Sequence, residues 1–382
     1  MKSIALIQTQ AKVALIPLMA ALLMTGTSCA KDTTTSDAPA NPTTMNMHSI
    51  ATGNNASFFI DDQNQLYACG NNSSNQLGFS SSSTQFLPVK SVENVNAVAS
   101  GEYHTLMLKT DNSLWVIGNN DDGQLGTGNS SSQSSPVRIA ENIIAIAAGK
   151  NYSFFVKSDH SLWAMGNNVF GQLGNGNTTN QNSPVKIMDN VQSVAAATAH
   201  TLILKTDGTL WSCGRNNAYE LGDGTDVYKS TPVQIATNVA QMSAGNQFSL
   251  FVKSDHTLWG VGFDGAGQLG DNSTFTAHHP KQIFTNVKEA KAGQGHTIVL
   301  KTDGTVWAAG LNDYGQLGNA NNSNQGEFVK VLDGVSAISV GNTHTLALKN
   351  DGSVWSTGSN GSGQLGTGTG LSDRNHFEQV KF

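Results

Sequence analysis

A period of 48 residues governs this chain. The phrase Gly-Gln-Leu-Gly ends at Gly126, and its counterparts end at Gly174, Gly222, Gly270, Gly318 and Gly366, with a variant ending at Gly78. Identical spacing over six intervals means that one supersecondary unit has been copied seven times. The 382 residues are therefore read as one domain of small modules, a solenoid, propeller or array, behind a leader. Charged residues make up only 13% of the chain and short apolar runs recur evenly, which excludes disorder. No long 3.6-residue periodicity is present, so the units are all-β.

The second unit shows the grammar: apolar runs over Val95 to Ser100, His104 to Lys109, Ser113 to Gly118 and, after a long polar loop, Pro136 to Ile139. That predicts four short strands. The central hairpin carries Asp207-Gly208, Asp303-Gly304 and Asp351-Gly352 in three units, which suits a two-residue turn whose second residue has positive φ. Asn64, Asn112, His160 and His256 stand at that place elsewhere, and Asn and His tolerate the same conformation. Runs such as Leu106-Met107-Leu108 lack alternation, so both faces of each small sheet are expected to be buried, as in sheets stacked around an axis. Trp115, Trp163, Trp211, Trp259, Trp307 and Trp355 share one register with Tyr67 and read as wedges between adjacent units. Pro88, Pro136, Pro184, Pro232 and Pro280 open the fourth strand, which places that strand at an outer edge.

The first strand, near Met47 to Thr52, matches Val95 to Ser100, while Val380-Lys381-Phe382 matches the fourth strand if the last loop holds three extra residues. The expected architecture is a seven-bladed β-propeller of four-stranded blades spanning 47–382, closed by pairing of the N- and C-terminal strands in one blade.

The leader reads as a bacterial-type signal peptide over 1–28. Lys2 and Lys12 precede an apolar run from Val13 to Met24, and Gly26-Thr27-Ser28 precede Cys29. The ending resembles a lipobox, with Gly26 where leucine is usual, so Cys29 is the expected lipid attachment site and ordinary secretion the alternative. Residues 29–46, polar and proline-bearing, read as a flexible tether. Loss of 1–28, which carry two lysines and no acid, takes the formal charge from -6 to -8 and argues against a nucleic-acid partner.

Chemistry-bearing constellations are sparse. His104, His200, His296 and His344 share a register filled elsewhere by Ala56, Tyr152 and Phe248, a substitution pattern of structural histidines rather than of metal ligands. His278-His279 are neighbours in a loop, and adjacent residues rarely converge on one ion. Cys69 and Cys213 stand three units apart and are expected as buried thiols, too distant for a disulfide. Gly126-Thr127-Gly128 precedes no helix and carries no phosphate signal. No catalytic residue, metal or cofactor is expected.

Gly341-Asn342-Thr343-His344-Thr345-Leu346, then Lys349-Asn350-Asp351-Gly352-Ser353-Val354-Trp355, then Gly363-Gln364-Leu365-Gly366 together resemble the regulator of chromosome condensation repeat family, here as a bacterial, exported member. The resemblance covers about 47–382. It implies a seven-bladed propeller and no single function, since members include a nuclear nucleotide-exchange factor, parts of larger signalling proteins and a secreted bacterial inhibitor of β-lactamases.

In such a blade the first and third connections lie at one end and the second connection and the blade link at the other. The second end carries Lys109, Lys157, Lys205, Lys253, Lys301 and Lys349, each two residues before an Asp, and reads as solvated surface. At the first end Asn72, Asn120, Asn168, Asn216, Asn312 and Asn360 recur as turn holders. Against that background Tyr103, Phe170, Tyr219, Phe263 and Tyr314 are candidate binding residues, with Glu220 beside Tyr219 where Tyr219-Glu220-Leu221-Gly222 departs from the phrase. The expected function is a non-enzymatic, lipid-anchored module, monomeric in its head, that recognises a protein or glycan. An inhibitor of an extracellular hydrolase is the alternative, and an enzyme with a site at the axial mouth is a third reading.

Overall fold

The computed structural model describes residues 45–368 and 370–382. The expected signal peptide, Cys29 and most of the tether lie outside the described residues. Twenty-eight strands form seven separate four-stranded antiparallel sheets, each ordered as in the sequence, and no helix occurs among the described residues. The blades span 47–90, 95–140, 143–188, 191–236, 239–284, 287–332 and 335–379. First strands line the axis, where small residues such as Ala99, Ala147 and Ala195 let seven backbones approach. Fourth strands form the rim, with their prolines or, in the last two blades, Phe328 and Phe377 in the same place.

Second strands such as His104–Lys109 are buried along nearly their whole length, as expected of sheets packed on both faces. Each tryptophan packs against the preceding blade: Trp115 lies on a cluster that includes Phe58, Ile60 and Leu66. Its indole Nε1 donates to Ser113 Oγ at 2.9 Å, and that hydroxyl donates to Asp111 Oδ1 at 2.6 Å. Asn64, Asn112, His160 and His256 have φ between 59° and 64°, confirming the turn position inferred for them. The turn itself is one residue longer than the two-residue form expected. Gly208 N donates to Lys205 O and Lys205 N to Thr209 O, which encloses Thr206, Asp207 and Gly208 in a type I turn with a bulge.

Closure differs from the expectation. The N- and C-terminal strands do not share a blade: Met47–Thr52 pairs with Ala56–Asp61 inside blade 1, and Arg374–Gln379 pairs with Val354–Gly358 inside blade 7. The physical reason is that every junction already has its own bond. In all seven, a Ser or Thr hydroxyl on the second strand of one blade donates to the backbone carbonyl of the Gln or Glu in the preceding blade's phrase. The junction from blade 7 to blade 1 uses Ser57 Oγ and Gln364 O at 2.6 Å, so no exchanged strand is needed. Met47, Phe59 and Cys69 pack there against Leu346, Leu348 and Val354. Phe382 adds an edge contact to Phe59 at 5.2 Å. The last loop is longer by one residue, not three: Gly358 pairs with Arg374, whereas Gly118 pairs with Gln133.

Candidate functional site

The loop-bearing end is built on one buried side chain per blade, an asparagine in six blades and Asp264 in blade 5. In blade 3, Asn168 Oδ1 accepts from Leu173 N at 3.0 Å while its Nδ2 donates to Asn175 Oδ1, Asn177 O and Thr179 O. A second amide locks the first half of the connection. Gln172 Oε1 accepts from Phe170 N at 2.9 Å, and its Nε2 donates to Asn167 Oδ1 at 2.8 Å. The closing glycine, Gly174, has φ of +75° and lies against Pro232 of the next blade. The phrase therefore sets both the turn and the junction, and the side chains between its anchors are free to vary.

Tyr103, Phe263 and Tyr314 are 39%, 41% and 43% exposed, on blades 2, 5 and 6. Phe170 is half-buried and meets Tyr228 of blade 4 edge-on at 5.5 Å. Tyr219 stacks on His278 of blade 5 with centroids 3.8 Å apart. It holds a φ of 62° at a place where the other copies carry Gly or Asn.

Glu220 lies elsewhere than a surface residue would. Its side chain is buried inside the blade, where Oε2 accepts from Ala218 N at 2.8 Å and Oε1 pairs with Arg215 Nε at 2.8 Å. Arg215 stands where blade 3 has Asn167, and its Nη2 donates to Asn246 O of blade 5. The Asn–Gln pair has become an Arg–Glu pair with the side-chain bond reversed: Gln172 donates to Asn167, whereas Arg215 donates to Glu220, and the acceptance from the backbone N–H two residues before the Gln or Glu is kept. Glu220 thus presents no atom for a partner.

The residues that the sequence reading passed over are Val169, Val227, Tyr228 and Phe275, all exposed, and Phe275 reaches 82%. Val227, Tyr228 and Phe275 lie outside the stretch between the turn residue and the phrase, whereas Val169 lies inside it, beside Phe170. Their signal was available as apolar letters in otherwise polar loops. Together with Phe170 and the Tyr219–His278 stack they concentrate apolar surface on the third connections of blades 3, 4 and 5.

The axial mouth at this end is a cavity of about 510 Å³. At one register Asn54, Asn246 and Asn342 recur in three blades, and Glu102, Lys150, Thr198 and Gln294 stand in the other four. Glu102 and Lys150 pair across one junction at 3.2 Å. At the opposite end the turn lysines fold back onto the tryptophans, with Lys253 Nζ 3.9 Å from the Trp259 ring centroid and Lys349 4.3 Å from that of Trp355.

The model of the RCC1-like domain matches residues 23–284, and RCC1 repeat models match 287–316, 335–364 and 303–348. The chain belongs to the RCC1-like domain family. Among solved structures, this RCC1-like propeller is similar to human WBSCR16, at 24% identity and a TM-score of 0.75 over 83% of this chain and 94% of that one. It is also similar to Prp20p from Saccharomyces cerevisiae, at 20% identity and a TM-score of 0.76 over 88% of each chain. Yeast RCC1 (Prp20) bound to Kap60 matches at 19% identity and a TM-score of 0.75 over 94% of this chain and 91% of that one. No curated protein matches the chain.

The registered histidines of the RCC1-like repeat are fully buried structural groups. His104 Nε2 lies 2.8 Å from Ser153 Oγ, and that hydroxyl spends its one proton on Gln124 O, so the imidazole is the donor. His200 stands in the same relation to Ser249 and Glu220 O. Burial, with no donor or acceptor at Nδ1, pushes His104, His200 and His344 down to about 4 and His296 to about 3. They remain neutral links between blades. Cys69 and Cys213 are buried free thiols, as expected, and burial raises Cys213 to about 12.

Proposed function

We propose that the protein is an exported, non-enzymatic binding module, lipid-anchored through Cys29 at the bacterial envelope, that docks a protein partner on the loop-bearing end of blades 3, 4 and 5. One observation carries the reading: apolar and aromatic side chains crowd the third connections of three consecutive blades, on loops that buried asparagine amides pin from beneath in blades 3 and 4. Rigid aromatic anchors on a preordered surface lose little entropy on binding. The fold serves protein partners in yeast, where Prp20p has binding properties toward Gsp1p and histones and is bound by Kap60.

The first strand runs from Met47 toward the loop-bearing end, so the chain enters the propeller at the tight-turn end, where Asn46 O accepts from Asp62 N.

Affinity capture from intact cells, repeated with a Phe170→Ala/Tyr228→Ala/Phe275→Ala variant, tests the surface. Capture falls at least tenfold if the surface is the site, and undiminished capture rejects it. Extracellular hydrolases belong in the captured panel, and a purely glycan ligand would replace the protein reading. Mass spectrometry of Cys29 tests the anchor: an unmodified, secreted chain that behaves like Cys29→Ser removes it.

A further inference from the structure

In blade 5 the buried amide at the head of the third connection is replaced by a carboxyl group, Asp264. Its Oδ1 keeps the accepting role, receiving Leu269 N at 2.8 Å. Its Oδ2 occupies the place of the donating nitrogen, is fully buried and has no donor opposite it. In blades 2, 3, 4 and 6 the amide donates to a side-chain oxygen seven residues on. In blade 5 that oxygen belongs to Asp271, which also accepts from Ser273 N at 3.1 Å. Lys281 pairs with Asp271 from the fourth strand, where those four blades carry valine. Asp271 and Lys281 are the charged groups that face Asp264.

The repeat demands a donor at Oδ2, and the one available is a proton. We infer that Asp264 and Asp271 share one proton, and that its loss loosens the loop of residues 271–276, which carries Phe275. With the proton present, Asp264 Oδ2–H donates to Asp271 and reproduces the amide's bond. Without it two carboxylates face each other in a largely dry site against a single ammonium. Burial chiefly, with the Asp271 charge adding to it and the Leu269 N–H opposing it, raises Asp264 to about 7. Because the value is raised, the folded chain holds a proton that the unfolded chain has already lost. Stability from this site therefore declines as pH rises from the ordinary carboxyl value to about 7, where half of the Asp264 carboxyls have lost the proton.

The test needs no partner. Amide hydrogen exchange is followed for residues 271–276 and, as the internal standard, 175–180 of blade 3 in the intact protein from pH 5.5 to 8.5, corrected for intrinsic exchange. In the wild-type chain protection of 271–276 relative to the standard falls roughly tenfold between pH 6 and 8, the factor that about one pKa unit of coupling supplies. In Asp264→Asn, which restores the amide, that fall disappears. Identical pH profiles in the two chains overturn the proposal. So does full protection of the wild-type loop at pH 8 that appears on adding millimolar calcium or magnesium and is absent in Asp264→Asn, because a metal ion would then hold the site.

Discussion

Blade 3 and blade 5 carry their third connections along the same path, yet the group at the head differs in kind. Asn168 both accepts from Leu173 N and donates into its loop, whereas Asp264 keeps only the accepting half. Blade 4 changes a neighbouring pair and loses no bond, since Arg215 donates to Glu220 where Gln172 donates to Asn167, so donor and acceptor have both changed places. The contrast teaches that the fold prescribes hydrogen-bonded pairs at fixed points and leaves open which member donates. A complete exchange is silent, and an incomplete one creates a titratable site.

The largest break in that comparison is expected from Arg215→Asn, which leaves the buried Glu220 carboxylate without its guanidinium and costs about 3–5 kcal/mol in urea unfolding. Adding Glu220→Gln rebuilds the blade 3 pair and should return the protein to within about 1 kcal/mol of wild type. An equal cost with and without the second change would show that the two residues are not a pair.

Next in size is the acid response of junctions that contain an imidazole. The folded-state values of His104, His200 and His344 are depressed to about 4, so the stability they contribute is complete above the unfolded value near 6.5 and is lost as pH falls toward 4. Each such shift is worth about 3 kcal/mol across the window. His200→Phe, which copies Phe248 of blade 5, should flatten the descent by one proton's share while costing about 1 kcal/mol at pH 7. An unchanged slope would remove His200 from the account.

Asn168→Asp moves the blade 5 chemistry into blade 3, where Val185 stands in place of Lys281. It is expected to cost about 2 kcal/mol at pH 8 and less at pH 5, read as the shift in denaturation midpoint. The smallest effect belongs to Tyr219→Gly. Relief of a positive φ, about 1 kcal/mol, opposes loss of the stack on His278, and the melting temperature should move by no more than a few degrees.

Much of the scaffold was legible. Turn residues such as Asn112 and His160 announce a positive φ whatever surrounds them, and Trp115 and Pro136 announce a wedge and an edge because those roles follow from side-chain size and from a missing N–H. The candidate site was legible in part. Phe170 and Tyr219 stood out against a polar register, but their partners Tyr228 and His278 are 58 or 59 residues away and belong to the next blade. Glu220 misled for the same reason: a charge in a variable loop reads as surface until Arg215 is seen to bury it.

By itself the sequence determined the blade, its four strands, their order from axis to rim and the number of copies, because a fixed period repeats the same local hydrogen bonds and the same buried faces. The tertiary structure alone decided how the ring closes, which loop aromatics meet, and that Asp264 lacks a donor. Those outcomes depend on atoms that different repeats bring to one junction, and no single repeat encodes its neighbour.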